Sequence, residues 1–187
     1  MIARPAKAAV FLDRDGVLNE AIRCDGKPYP PRDLGQFAIT AGARASLDAL
    51  KREGFLLVVV TNQPDVARGR VSRAEVDAIN AKLAGCLPLD AIEVCEHDDK
   101  EHCDCRKPKP GMILRAQQKL DIDLARSFMV GDRWRDIEAG RRAGCRTVLI
   151  GEGYGEPFPC APTVKVGSLP RAASWIIEQS RLKREII

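Results

Sequence analysis

Six short apolar runs, four to six residues each, recur along this 187-residue chain, with a helical pattern in four of the five gaps. They are AVFL (9–12), FLLVVV (55–60), AIEVC (91–95), SFMVG (127–131), RTVLI (146–150) and TVKV (163–166). Helical periodicity shows in ARASLDALKRE (43–53), SRAEVDAINAKLA (72–84), GMILRAQQKL (111–120) and RDIEAGRRAG (135–144). A last helix is expected from Ser168 to about residue 184, with Pro170 tolerated in its first turn. Strands that are apolar at nearly every position must be covered on both faces. Parallel strands joined by crossover helices provide that cover. The expected fold is therefore one α/β domain over residues 1–187, a doubly wound parallel sheet. The chain shows no internal repeat, and 187 residues suffice for one proper core.

Composition narrows the function classes. No apolar stretch approaches the roughly 20 residues of a membrane span. The opening MIARPAKAAVFLDRDG runs into acidic residues and reads as the first strand rather than a signal peptide, which makes the cytoplasm the expected compartment. A net charge of +4 is mild, and the basic SRLKREII end reads as a solvated helix terminus. Nucleic acid calls for a denser basic stripe. A small anionic molecule is the expected partner, and the chain is expected to be a monomer.

The residues just past each strand carry the chemistry. After the first come Asp13 and Asp15; after the second, Thr61, Asn62 and Gln63. The third leads through a Cys/His cluster to Arg106 and Lys107, and the fourth ends on Gly131-Asp132, with Asp136 one turn on. In an open α/β sheet, ligands bind outside the carboxyl ends of the strands, so these clusters fall on one edge. Any one of them alone is an ordinary turn, cap or surface residue. Together they can run phosphoryl transfer. Asp13 and Asp132 suit a hard divalent ion such as Mg²⁺. Lys107 offsets the repulsion between an anionic nucleophile and a phosphate, and a carboxylate attacking phosphorus splits one hard displacement into two easier ones. Asp15 can exchange protons with the leaving oxygen and with water.

Seven cysteines are present, and three crowd into residues 95–105. That distribution favours a metal over a disulfide framework. Cys24, Cys86, Cys145 and Cys160 read as small filler residues. Cys95, His97, Cys103 and Cys105 form a C-x-H-x₅-C-x-C pattern suited to a closed tetrahedral, structural zinc site. His102 competes with His97, but Cys95-x-His97 mirrors Cys103-x-Cys105.

The segments DRDGVLN, VVVTNQ, RKPKPGM and VGDRWRDIEAG, in that order, resemble the four motifs of the haloacid-dehalogenase-like (HAD) phosphatases. The likeness runs from about residue 8 to 151 and is nearest to the heptose bisphosphate and histidinol-phosphate branches. It implies a Rossmann-like HAD fold without a large cap domain, and a zinc loop at 95–105 that places Lys107. It also implies Asp13 as nucleophile, Asp15 as general acid/base, and Thr61 with Asn62 holding the phosphoryl group. Lys107 would stabilise the phospho-intermediate. Mg²⁺ would sit on Asp13, Asp132 and the Asp15 backbone carbonyl. The expected activity is hydrolysis of a small sugar phosphate, a heptose 1,7-bisphosphate first and histidinol phosphate as the alternative. A second phosphate would rest on Arg106 and Arg68. A zinc-bearing binding module without activity is the rival of another class, and the intact Asp13/Asp15/Lys107/Asp132 set argues against it. The site should be bordered by the long loops 20–40 and 97–110.

Overall fold

A computed structural model describes residues 6–24 and 27–185. The elements in chain order are β1 (Ala9–Leu12), β2 (Ile22–Cys24), β3 (Lys27–Tyr29), α1 (Ala43–Arg52), β4 (Leu56–Asn62) and α2 (Arg73–Cys86). Next come β5 (Ala91–Cys95), α3 (Gly111–Leu120), β6 (Phe128–Gly131), α4 (Trp134–Ala143), β7 (Arg146–Ile150), β8 (Val164–Val166) and α5 (Leu169–Glu185). Six strands form one sheet in the order β5-β4-β1-β6-β7-β8, and every pairing in it is parallel. The chain winds outward from β1 to β5, then returns to the other side of β1 with β6. The winding reverses between β1 and β6, where a doubly wound sheet opens a crevice at its carboxyl edge.

Alternate residues of each strand feed two cores. Val10, Leu12, Leu57, Val59 and Val130 pack with Leu47 and Leu50 of α1 and with Ala172 and Ile176 of α5. Ala9, Phe11, Val58, Val60 and Met129 pack with Met112, Ile113 and Ala116 of α3 and with Ala139 of α4. That two-sided burial is why the strands carry no polar alternation. On the first face, Phe128 stacks edge-on against Phe55 at 5.9 Å and against Trp175 at 6.0 Å, geometry favoured by the ring quadrupoles. α2 starts where Ser72 and Glu75 cap each other: Glu75 N–H donates to Ser72 Oγ (3.2 Å) and Ser72 N–H to Glu75 Oε2 (2.7 Å).

The 20–40 segment contains an antiparallel hairpin, β2 on β3, which the sequence pattern did not announce. The side chain of Cys24 lies outside the described residues. Among the described residues, no helix is long and apolar enough to cross a membrane.

Candidate active site

Asp13 leaves the sheet at its centre. Its N–H still donates to Val130 O at 2.9 Å, so the ladder between β1 and β6 aims the first carboxylate into the crevice. Asp132 occupies the corresponding place after β6, and Asp136 reaches the same point from the first turn of α4. Their oxygens gather within 4.8 Å of one another, and all three residues are buried. Lys107 lies between them, its Nζ 2.8 Å from Asp13 Oδ1 and 2.6 Å from Asp136 Oδ1. Asn62 fixes the lysine from below. Its side-chain oxygen accepts from Lys107 N–H (3.0 Å) and its amide donates to Lys107 O (3.1 Å).

The close approach of these groups depends on two glycines. Gly16 has φ +84°, and a Cβ there would stand 2.0 Å from Asp132 Oδ2. A Cβ on Gly131 would lie 2.1 Å from Asp136 Cβ. No side chain fits at either position.

Asp15 points to the edge of this cluster and is held by three neighbours. Arg14 donates to both of its oxygens (3.1 Å each from Nη2), Asn19 to Oδ1 (3.0 Å) and Gln63 to Oδ2 (2.8 Å). Arg14 is itself fully buried and also donates to Asn80 Oδ1 at 2.9 Å. Thr61 sits deeper. Its hydroxyl accepts from Gln63 Nε2 (2.8 Å) and the residue is fully buried.

A cavity of about 500 Å³ opens over the cluster. Asp13, Asp15, Asn62, Lys107, Asp132 and Asp136 line it, whereas Thr61 does not. Its borders are the hairpin, through Pro28 and Tyr29; the 97–110 loop, through Asp99 and Arg106; and the loop after β7, through Tyr154 and Glu156. The last border was not foreseen. Arg68 and Arg106 both reach the cavity. Arg68 is paired with Asp98 (2.7 Å) and Asp65 (3.3 Å). Arg106 is paired with Asp99 through Nε (2.7 Å), while its Nη1 is buried with no hydrogen-bond partner.

Burial and like charge set the protonation of the carboxylates. Asp13 is pushed up to about 7, first by desolvation and then by Asp136 and Asp15, against the pull of Lys107. Asp132 is pushed up to about 8 by desolvation and by the charges of Asp13 and Asp136. Asp132 Oδ1 is buried without a hydrogen-bond partner. Crowded carboxylates with an unsatisfied oxygen fit a hard divalent cation. The stability consequence has a definite sign. Between about pH 4 and 8 the folded state holds protons that the unfolded chain releases, so without a cation stability falls as pH rises. Mg²⁺ should compete with those protons and raise the melting temperature more at pH 8 than at pH 5.5. At a hundredfold excess over its dissociation constant the gain is about 2.7 kcal/mol. Melts with and without Mg²⁺ at the two pH values check this; an equal or absent response contradicts it.

The second cluster stands just before Lys107 in the sequence. Cys95, His97, Cys103 and Cys105 offer donor atoms within 4.8 Å of one another. Sγ–Sγ separations are 2.9 Å (Cys95–Cys105), 3.4 Å (Cys103–Cys105) and 3.7 Å (Cys95–Cys103), with His97 Nδ1 3.2 Å from Cys105 Sγ. Three thiols and an imidazole converging on one point suit a tetrahedral thiophilic ion, which would spread the three shorter separations towards about 3.6–3.8 Å. His102 takes no part and sits on the outer turn at φ 49°. Arg106 and Lys107 follow Cys105 directly.

A family model described as HAD-hydrolase-like matches residues 104–166. A protein of Vibrio cholerae named D-glycero-beta-D-manno-heptose-1,7-bisphosphate 7-phosphatase is 40% identical over 157 residues, 78% of this chain and 81% of that one. Its namesake in Escherichia coli strain K12 is 35% identical over 182 residues, 90% of this chain and 87% of its own length. The chain belongs to the haloacid-dehalogenase-like phosphatases. The structure of D,D-heptose 1,7-bisphosphate phosphatase from B. bronchiseptica, complexed with magnesium and phosphate, superposes on this phosphatase with a TM-score of 0.79. It is 31% identical and covers 92% of this chain and 99% of its own.

Three residues of the phosphatase site have no role assigned by its motifs. Asp136, one turn beyond Asp132 in the sequence pattern, is returned by the helix to the same point. Gln63 stands at the end of VVVTNQ, and it ties Asp15 to Thr61. Tyr154 belongs to no motif and reaches the site only through the fold; its hydroxyl donates to Asp132 Oδ2 at 2.7 Å.

Proposed function

We propose that this phosphatase hydrolyses a small sugar bisphosphate, D-glycero-β-D-manno-heptose 1,7-bisphosphate, at its 7-phosphate, through a phosphorylated Asp13. The observation that carries the reading is the paired polarity of the cavity. Asp13 and Lys107 lie at its floor, and Arg106, with an unpaired guanidinium nitrogen, lies on its wall. The relatives of that name lend the substrate.

The Asp13 carboxylate attacks phosphorus, forming one P–O bond as the P–O bond to the sugar breaks. Lys107 opposes the desolvation that raises Asp13 and faces the charge that builds on the phosphoryl oxygens. Asp15, aimed by Arg14, Asn19 and Gln63, gives a proton to the departing sugar oxygen. In the second half it takes a proton from water as that water attacks the acyl phosphate, returning Asp13 and inorganic phosphate. Thr61 supports this arrangement from beneath through Gln63, while Asn62 lies at the phosphoryl position and anchors Lys107. Mg²⁺, held by Asp13, Asp132 and the Asp15 backbone carbonyl with Asp136 beside them, would supply positive charge to the phosphoryl group. Zinc on Cys95, His97, Cys103 and Cys105 would be structural, fixing the loop that delivers Arg106 and Lys107.

A substrate comparison tests the reading. Arg106→Ala should cost kcat/KM on the bisphosphate about 2–3 kcal/mol, the scale of a lost charge-assisted contact. It should barely change turnover of an aryl phosphate, which has no second phosphate for Arg106 or Arg68 to hold. Equal losses on both would place Arg106 on the reacting group. Turnover of histidinol phosphate but not of the bisphosphate would overturn the substrate.

A further inference from the structure

Asp132 has two carboxylate oxygens in different surroundings. Oδ2 accepts the hydroxyl of Tyr154 at 2.7 Å and packs against the Gly16 backbone. Oδ1 is buried and has no hydrogen-bond partner. We propose that Tyr154 is a positioning residue for the cation site, holding Asp132 so that Oδ1 faces the ion, and that the loop after β7 thereby sets cation affinity. The inference rests on the reading of Asp132 as a cation ligand.

Three observations show that the loop is built to deliver this hydroxyl. Tyr154 stands at φ 57°, a left-handed conformation that is unfavourable for a bulky residue and persists only when the surroundings enforce it. The Arg133 guanidinium lies 5.8 Å from the Tyr154 ring centroid, within reach of a cation–π contact. Arg133 also pairs with Glu156, its Nε 3.3 Å from Oε2. Since Arg133 follows Asp132 directly, the residue beside the carboxylate clamps the loop that orients it. The phenol reaches across 22 positions of sequence to make one charge-assisted hydrogen bond. Hydrogen-bond partners of ligating groups fix ligand orientation, and losing one typically costs ~10–100-fold in metal affinity.

Tyr154→Phe removes the hydroxyl and keeps the ring against Arg133. Mg²⁺ binding to the substrate-free protein, measured by calorimetry and by thermal-shift titration, should weaken about tenfold. Without Mg²⁺ the melting temperature should fall by no more than a few degrees, the cost of a buried acceptor left without its donor. Glu156→Gln, which loosens the clamp without touching Asp132, should weaken binding in the same direction by a smaller factor. A parent protein with no Mg²⁺ response removes the cation reading and this inference with it. A parent response that Tyr154→Phe leaves unchanged or strengthens overturns this inference alone. A lowered melting temperature with unchanged affinity does the same, since the contact would then be only structural.

Discussion

Asp13→Asn should lower turnover by several orders of magnitude while leaving a folded protein. The amide has nearly the volume of the carboxylate, so the core between β1 and β6 is undisturbed. Asp13 packs against Lys107 at 2.8 Å, and the lysine keeps Asp136 at 2.6 Å in the variant. The change also removes one of three crowded carboxylates, which offsets part of the lost pairing and holds stability near the parent's. An amide cannot form an acyl phosphate, so the two-step route is closed rather than slowed. Steady-state phosphate release, with melting as the control for folding, checks the prediction. Near-normal activity in a well-folded Asp13→Asn protein would contradict it.

Cys105→Ser should lose zinc, stability and activity together. Cys105 Sγ lies within 3.4 Å of the donor atoms of Cys95, Cys103 and His97, so its loss removes the centre of the ligand set. Zinc binding contributes on the order of 10 kcal/mol to folding in small zinc modules. Here the two cores remain when the ion is gone, and the loss is smaller. In a domain of this size each kcal/mol lowers Tm by about 2–4 °C, and a fall of roughly 10 °C is expected. Activity should fall as well, because Arg106 and Lys107 are the next two residues. Metal analysis of the parent should give close to one zinc per chain. Full activity without zinc and at unchanged Tm would contradict the structural role.

The catalytic edge was legible because strand ends carry it. Continuous apolar runs identify buried parallel strands, and the residue after each such run must lie at one edge of the sheet. Asp13, Asn62 and Asp132 follow from that rule without knowledge of strand order, whereas Lys107 stands well past the end of β5 and was legible through its motif. The position of the reversal between β1 and β6 is a property of the winding and is absent from any local pattern. The hairpin at 22–29 was missed because its three-residue strands, IRC and KPY, carry Lys and Pro and no alternation. Thr61 shares a motif with Asn62, but successive strand residues face opposite ways: Asn62 lines the cavity and Thr61 is fully buried. Tyr154 left no signal in the sequence. A phenol in a Gly-rich loop reads as a turn residue until the fold brings it to Asp132.

The central claim is that Asp13 forms a bond to phosphorus, and trapping that bond tests it directly. Protein quenched in acid during turnover of an excess of the bisphosphate with Mg²⁺, then reduced with borohydride, converts an acyl phosphate to an alcohol at the attacked side chain. Peptide mass spectrometry should find homoserine at position 13, absent without substrate and absent from Asp13→Asn. Reduction at Asp15, Asp132 or Asp136 instead, or at no residue during full turnover, would contradict the account.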